Sequence, residues 1–550
     1  MAILALGLAL YVSCQKGASS ALTPTYVGDS ACMRCHADIT RAYASTWKAH
    51  SLLSVTSGLR RIENFSQAPV YDPYKDFYYR ARWERDTLYF YEYRLRESDT
   101  VFLRKERIDF VVGSGHQTRS YLLWRNGFLY EAPITWYVRA GRWDLSPGYA
   151  EGRNSRFSRE IQPACLACHA SGWVAVPYTY NRYEKVGGPL GCESCHGPGS
   201  LHVANPQDPA YHWRKWSPLR QMDVCSRCHL EGIAVEKRTG WRPGDSLAAY
   251  WAIFLPERPE LGQFGIASHA ERLMRSACYQ KGGLTCTGCH NPHPTGSVPA
   301  YEGRCLGCHT QGCASPKHPS DGCVGCHMPK GPTSDIPHTQ FTDHYIRVVR
   351  SAPVAPGFSP KLVCATEAYP APALVGEAYL KWYIEERPEG WVLDTAVALL
   401  RGGERPAAFA RALLLKNRPQ QALTAAEKAL HGDSTLPVLE LYAYCLEGAG
   451  LVEKALQVWA EIVRKAPAYP EARFRYATLA YLTGKLPPVE AYKILQAVWA
   501  EWPWEPQVAY NAGIVAAGLG RNVEARRYFS AALALDPDYK PAQQALARLP

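Results

Sequence analysis

Residues 31–50 read ACMRCHADITRAYASTWKAH. Two cysteines stand three positions apart, a histidine directly follows the second, and a further histidine, His50, closes the stretch. The pattern Cys-x-x-Cys-His occurs seven times, at 32–36, 165–169, 192–196, 225–229, 286–290, 305–309 and 323–327. The copies contain fourteen of the 19 cysteines, so most cysteines of the chain belong to one kind of repeated site.

Zinc sites also use Cys-x-x-Cys pairs, but zinc does not require a histidine at the next position each time. Histidine is only 17 of 550 residues, so seven chance adjacencies are negligible. Cys-x-x-Cys-His is instead the attachment signature of c-type haem. Each cysteine adds to a haem vinyl group, and the histidine becomes the proximal iron ligand. We therefore expect seven covalently attached haem c groups.

The expected thioether residues are Cys32, Cys35, Cys165, Cys168, Cys192, Cys195, Cys225, Cys228, Cys286, Cys289, Cys305, Cys308, Cys323 and Cys326. The expected proximal ligands are His36, His169, His196, His229, His290, His309 and His327.

A second axial histidine closes a haem iron, methionine raises its potential, and an open position admits a ligand. Methionine is scarce, at 5 residues. Ten histidines lie outside the motifs, and we set aside His431 because it lies in a helical region without motifs. The remaining nine are enough for bis-histidine ligation of seven irons.

The segment YVGDSACMRCHADITRAYASTWKAHSL at 26–52 resembles the opening of multihaem cytochromes related to hydroxylamine oxidoreductase and its tetrahaem electron-carrier partner. VVGSGHQTRSYLLWRNGFLYEAPITWY at 111–137 resembles a segment of large exported proteins of this group. The resemblance covers about residues 25–350. It implies distal ligands at His50, His116, His202, His269, His293, His318 and His338.

Two of the nine histidines, His212 and His344, are left open as ligands. His344 is less favoured than His338, which follows Pro337 in a predicted loop. His212 lies in AYHWRKW, where a place on an aromatic surface explains it equally well. Related nitrite reductases often carry a lysine in place of one motif histidine, whereas all seven motifs here end in histidine. This difference and the surplus of histidines argue against an open iron, so we assign no catalytic residue.

The formal net charge is +11, from 61 Lys and Arg against 50 Asp and Glu. The positive charges are scattered and form no dense run, so we expect no nucleic-acid partner. Two propionates on each of seven haems offset this excess without any anionic partner.

An apolar run at 1–13 is too short to span a bilayer and is typical of a secretory signal. Cys14 follows it as in a lipoprotein cleavage site, so we expect a tether at 14–24 and possible outer-membrane anchoring through lipidated Cys14; an ordinary signal with an incidental cysteine is the alternative.

Export fits a compartment in which thiols pair, and Cys278 and Cys313 flank motifs five and six as a candidate disulfide.

The predicted fold is mixed. A loop- and helix-rich heptahaem domain at 25–350 contains a small antiparallel β insertion at about 70–140, where aromatic and charged residues alternate. A Pro-rich linker at 351–376 precedes an all-α solenoid at 377–550. Its alanines recur at intervals of 33, 36 and 34 residues, the tetratricopeptide period, at Ala422, Ala455, Ala491 and Ala525. This solenoid either binds a partner protein or caps the haem domain.

Three functions remain open. The first is an exported electron-transfer protein, periplasmic, outer-membrane-anchored or extracellular, that exchanges electrons with redox partner proteins. The second is a reductase or oxidoreductase of small nitrogen or sulfur oxyanions with one open haem. The third is a subunit of an extracellular filament, whose partners are neighbouring cytochrome subunits.

Overall fold

The computed structural model describes residues 23–56, 58–177, 179–207, 213–257, 265–294, 301–310, 322–348 and 361–549. The signal segment at 1–13, Cys14, most of the tether, His212, Cys313 and His318 lie outside these residues. No helix in the described ranges is long and apolar enough to cross a membrane.

An antiparallel β region follows the first motif, as predicted. Its strands are β1 (Leu52–Ser54), β2 (Val70–Asp72), β3 (Phe77–Glu84), β4 (Thr87–Arg96), β5 (Asp99–Arg107), β6 (Phe110–Val112), β7 (Thr118–Arg125), β8 (Phe128–Glu131), β9 (Ile134–Tyr137), β10 (Arg142–Leu145) and β11 (Arg159–Glu160). Strands β2 to β5 form one sheet in sequence order, and the other seven form a second sheet. Alternate residues of β3, Phe77, Tyr79 and Ala81, are buried, which is the period-two pattern of a strand with one face on a core.

The haem motifs lie on short helices joined by loops. These helices are α1 (Asp29–Met33), α2 (Ala37–Ala44), α3 (Pro163–His169), α4 (Glu193–His196), α5 (Ser200–Ala204), α6 (Pro218–His229), α7 (His269–Met274), α8 (Ala277–Gln280), α9 (Cys286–Cys289), α10 (Glu302–Leu306) and α11 (Gly322–His327). Short strand pairs support them: β12 (Val174–Ala175) with β13 (Tyr183–Lys185), β14 (Ile233–Glu236) with β15 (Trp251–Pro256), and β16 (Lys330–Pro332) with β17 (Gln340–Thr342).

The C-terminal part is a run of helices, as predicted. They are α12 (Pro372–Glu385), α13 (Gly390–Leu400), α14 (Pro406–Leu415), α15 (Pro419–Gly432), α16 (Leu436–Gly448), α17 (Val452–Lys465), α18 (Pro470–Leu482), α19 (Pro488–Glu501), α20 (Pro506–Gly518), α21 (Asn522–Leu535) and α22 (Lys540–Arg548). The four repeat alanines are completely buried, since only a small side chain lets neighbouring helices approach closely there.

The expected linker at 351–376 differs from the structure in its second half. Residues Leu362–Cys364 form strand β18, which pairs with β15 of the haem region, and α12 already begins at Pro372. The Pro-rich composition suggested an extended connection, but backbone pairing with a distant strand is a tertiary interaction that local composition does not reveal.

The helical region packs on the β region through one shared hydrophobic core. The Phe128 and Tyr469 rings stack with centroids 6.1 Å apart, and the Arg104 guanidinium lies 4.2 Å from the Trp504 ring centroid. Arg94, which is buried, donates to the carbonyl oxygens of Ala534 and Leu535 at the end of α21. Part of the solenoid surface is therefore covered by the chain's own strands.

Candidate haem sites

Each motif forms one helical turn. The backbone N–H of the histidine donates to the carbonyl of the first cysteine, at 2.9 Å for His36, 3.0 Å for His196, 2.8 Å for His290 and 2.9 Å for His309. The other three motifs lie within α3, α6 and α11. One turn brings both sulfurs to the same side and sets the imidazole directly beyond them, which is the arrangement that attachment to one porphyrin edge requires.

The motifs are neighbours in space, and their order in space differs from their order in sequence. Thiols of different motifs are close enough to influence each other's ionisation in the pairs Cys32–Cys192, Cys168–Cys228, Cys225–Cys286 and Cys305–Cys323. Two further pairs, Cys195–Cys225 and Cys289–Cys305, are close enough to interact electrostatically. Motif four thus lies beside motifs two, three and five.

Two motif histidines face a histidine from elsewhere in the chain. The rings of His36 and His202 have centroids 6.2 Å apart and planes 17° from parallel, and those of His196 and His293 are 5.8 Å and 21° apart. Two imidazoles on opposite sides of one metal, each with its nitrogen about 2 Å from it, have centroids roughly 6 Å apart. The centroid separations of both pairs are close to this value.

His344 forms a third pair of this kind. Its ring centroid lies 6.1 Å from that of His290, with planes 31° apart. His338 lies elsewhere, where its Nε2 is 2.9 Å from Asp144 Oδ2 and 3.0 Å from Arg142 Nη2, and its ring contacts Tyr137 edge-on. The structure therefore favours His344, which reverses the preference for His338 based on sequence; the hairpin β16–β17 turns His338 toward β10.

In three histidines, the ring nitrogen Nδ1 lies within hydrogen-bond distance of a backbone carbonyl oxygen. Nδ1 of His50 lies 2.9 Å from the Thr46 carbonyl, that of His327 lies 3.0 Å from the Arg347 carbonyl, and that of His344 lies 2.9 Å from the Thr342 carbonyl. A backbone carbonyl accepting from Nδ1 fixes the tautomer and leaves Nε2 with a lone pair for a metal. His50 also lies next to motif two, because the Ser51 hydroxyl donates to the His169 carbonyl at 2.8 Å.

The densest cluster lies around motif four. The His269 ring centroid is 5.0 Å from that of His229 and 4.7 Å from that of His344, and Lys48 Nζ lies 3.3 Å from His229 Nε2. Burial, and then the nearby Lys48 charge, lowers the pKa of His229 to about 3. Burial, and then His229, lowers the pKa of His269 to about 2. Both rings are therefore neutral near pH 7, as iron ligation requires.

The histidines near motifs one and three also lie in an environment with several histidines close together. Burial, followed by the neighbouring His293, His202 and His36, lowers the pKa of His196 to about 4.

The remaining sequence candidates are less closely placed. The centroid of the His116 ring lies 4.7 Å from that of the Trp47 ring, three residues before His50 in the chain. His318 and His212 lie outside the described residues. The sequence analysis missed Lys48, although it stands in the same stretch, WKAH, as His50.

Comparisons with known proteins cover both parts of the chain. A family model described as cytochrome c554 and c-prime matches residues 148–197, and a tetratricopeptide-repeat model matches residues 488–549. Multiheme cytochrome MtrA of Shewanella baltica (strain OS185) is 25% identical over 204 residues, which cover 30% of this chain and 57% of MtrA. The chain thus spans a little over half the length of this curated relative.

Two solved structures are also similar. The outer cell wall cytochrome OcwA aligns with 77% of this chain and 99% of its own, at 14% identity and a TM-score of 0.39. YrrB, a TPR protein with an unusual peptide-binding site, aligns with 31% of this chain and 98% of its own, at 21% identity and a TM-score of 0.25.

The seven motifs, their helical turns and the sequence matches define the class: the chain is a multihaem c-type cytochrome with a C-terminal tetratricopeptide-repeat region. Within that class, the segment that holds motifs two and three is similar to cytochrome c554 and c-prime.

Proposed function

We propose that this chain is an exported heptahaem cytochrome that transfers electrons through closely packed, six-coordinate haems and does not transform a substrate at iron. The observation that carries the proposal is the pairing of motif histidines with histidines from distant segments at about the through-metal separation, in His36–His202, His196–His293 and His290–His344. A bound haem c supplies one-electron redox chemistry.

The protein's part is to hold each axial pair and to keep the motifs adjacent. We assign His202 to motif one, His293 to motif three and His344 to motif five, and we assign His50 to motif two because Ser51 contacts the His169 backbone. For motifs six and seven, His116 and His318 remain the candidates.

The thiol contacts between motifs suggest a route. They join motif one to three, three to four, four to five, five to six and six to seven, with motif two beside motif four. Motif four is then the junction of the chain and motif two is a side branch.

The helical region supports this function as a clamp. It covers the β region through the contacts of Phe128, Arg104 and Arg94, and we propose that its remaining surface receives a redox partner protein or a neighbouring cytochrome subunit. We propose a periplasmic, outer-membrane-anchored or extracellular location, with anchoring through Cys14.

Two measurements test the function. The intact mass of the mature protein is expected to show seven haems; six or fewer in fully matured protein would contradict the count. In stopped-flow reduction with less than one electron per protein, a variant lacking haem at motif four (C225A/C228A) is expected to redistribute electrons slowly and in several phases. The unmodified protein and the matched variant at motif two (C165A/C168A) are expected to redistribute electrons in a single fast phase. A slow, multiphase redistribution in the motif-two variant but not in the motif-four variant would refute the route.

A further inference from the structure

Lys48 is an exposed lysine whose amine lies against a haem motif. It begins the 3-10 turn Lys48–His50, and its Nζ lies 3.3 Å from Nε2 of His229. Nε2 is the nitrogen that a motif histidine offers to iron. The amine therefore approaches motif four from the iron-facing side of its proximal ligand.

The surroundings of Lys48 are histidines and thiols of the haem motifs. Its charge acts on His229, His269 and His290 and on cysteines of motifs three, four and five. Within the described parts of the chain, no carboxylate lies within ion-pair distance of Lys48. A lysine directed into such a cluster without an acidic partner has a nitrogen as its nearest functional neighbour.

His269 is the competing donor for motif four. Its ring is 84° from that of His229, at a centroid separation of 5.0 Å, which is shorter than the roughly 6 Å that one iron between two imidazoles requires. His269 cannot easily withdraw, because α7 is held by the ion pair of Arg272 with Asp343, in which both side chains are almost completely buried. The 3.3 Å between Lys48 Nζ and His229 Nε2 is also shorter than the roughly 4 Å between two nitrogens on opposite sides of one iron. The lysine side chain is flexible, however, so it can withdraw by that small distance.

We propose that the primary amine of Lys48 is the sixth ligand of the iron bound by His229, so that motif four carries a histidine–lysine pair. On binding, the ammonium releases one proton to solvent and the nitrogen lone pair forms the iron–nitrogen bond; the oxidation state of the iron does not change. This inference rests on the proposed function, because it requires haem at motif four.

The same short turn then serves two adjacent haems. His50 at its end lies beside motif two through Ser51 and His169, and motif two contacts motif four through Cys168 and Cys228. Lys48 and His50 are two residues apart, and the thiol contact shows that their two target motifs are neighbours.

The test uses the oxidised holoprotein. Electron paramagnetic resonance and near-infrared magnetic circular dichroism distinguish histidine–lysine from bis-histidine haems. The unmodified protein is expected to show one histidine–lysine haem, and K48A and K48R are expected to lose it and to gain one iron that binds carbon monoxide when reduced. K48R keeps the charge and length of the side chain but supplies no ligating amine. H269A and the control K454A, at an exposed helix position, are expected to retain the signal.

An unchanged spectrum in K48A and K48R that still carry seven haems would overturn the lysine ligand and leave the proposed function intact. Loss of low-spin character in H269A but not in K48A would assign the position to His269 and also overturn the proposal. A motif-four peptide recovered without haem from the unmodified protein would overturn both.

Discussion

The imidazole rings of His36 and His202 lie 6.2 Å apart between centroids, with planes 17° from parallel, although 165 residues of sequence separate them. Motif one and motif three also touch through Cys32 and Cys192. Helix α5, which carries His202, follows motif three directly. On the proposed assignment of His202 to motif one, the ligand for one haem comes from the segment that holds the neighbouring haem, so the positions of the two haems are set together.

Replacing His202 should open one iron. We expect H202A to show one high-spin haem in the oxidised protein and to bind one equivalent of carbon monoxide when reduced, measured by optical titration. His431 in α15 offers a matched control, because it lies in the helical region far from the motifs in sequence. No difference between H202A and H431A would refute the assignment.

The choice between His344 and His338 can be tested by two parallel substitutions. H344A should open one iron, because His344 faces His290. H338A should leave every haem low-spin, since His338 is engaged with Asp144 and Arg142. Spin state in the oxidised spectrum is the measurement, and an open iron in H338A alone would restore the preference drawn from sequence.

The buried ion pair between Arg272 and Asp343 should matter for stability. Both side chains are almost fully buried, and Arg347 also pairs with Asp343, at 2.6 Å. Removing Arg272 therefore takes one of two cations from the buried carboxylate, which costs less than the about 3–5 kcal/mol of a wholly unpaired buried charge. We expect R272M to lower the free energy of unfolding by about 2 kcal/mol in chemical denaturation followed by circular dichroism. K485M, which removes an exposed partner of Glu453, is expected to change it by less than about 1 kcal/mol.

The contact between the haem region and the solenoid should weaken as pH rises. Burial, together with Glu440 and Glu471 across the contact, raises the pKa of Glu160 to about 7. A carboxyl with a raised folded-state pKa favours the folded state below its unfolded pKa of 4.5, and this contribution is lost as pH rises through about 7.

E160Q imitates the protonated carboxyl, so we expect it to raise the melting temperature at pH 8 and to leave it nearly unchanged at pH 4.5. The stabilisation at pH 8 should be on the order of 1–2 kcal/mol. Calorimetry at the two pH values checks this, and an equal effect at both would refute the titration of Glu160.

The sequence predicted the local features well, because they depend on short-range patterns. Seven pentapeptides specified seven helical turns, the alternation at Phe77–Ala81 specified a strand, and the spacing of Ala422 and Ala455 specified paired helices. The pairing of ligands depends on how distant segments meet. His338 and His344 both follow motif seven in sequence, and only the fold of the hairpin β16–β17 shows which of them lies near motif five.

The solenoid illustrates the same limit. Its period indicates a binding surface, but the sequence does not show that Tyr469 and Trp504 pack against Phe128 and Arg104 of the same chain. Lys48 was also missed, because a lysine beside a ligand histidine carries no pattern of its own until the fold brings it to His229.

The most direct test of the account is a carbon monoxide titration of the fully reduced, unmodified holoprotein, followed in the Soret region. Every iron is expected to have both axial positions filled by side chains, so the protein should bind almost no carbon monoxide and act as an electron carrier. Stoichiometric binding at even one haem would contradict this and would favour an enzyme that transforms a small oxyanion at an open iron.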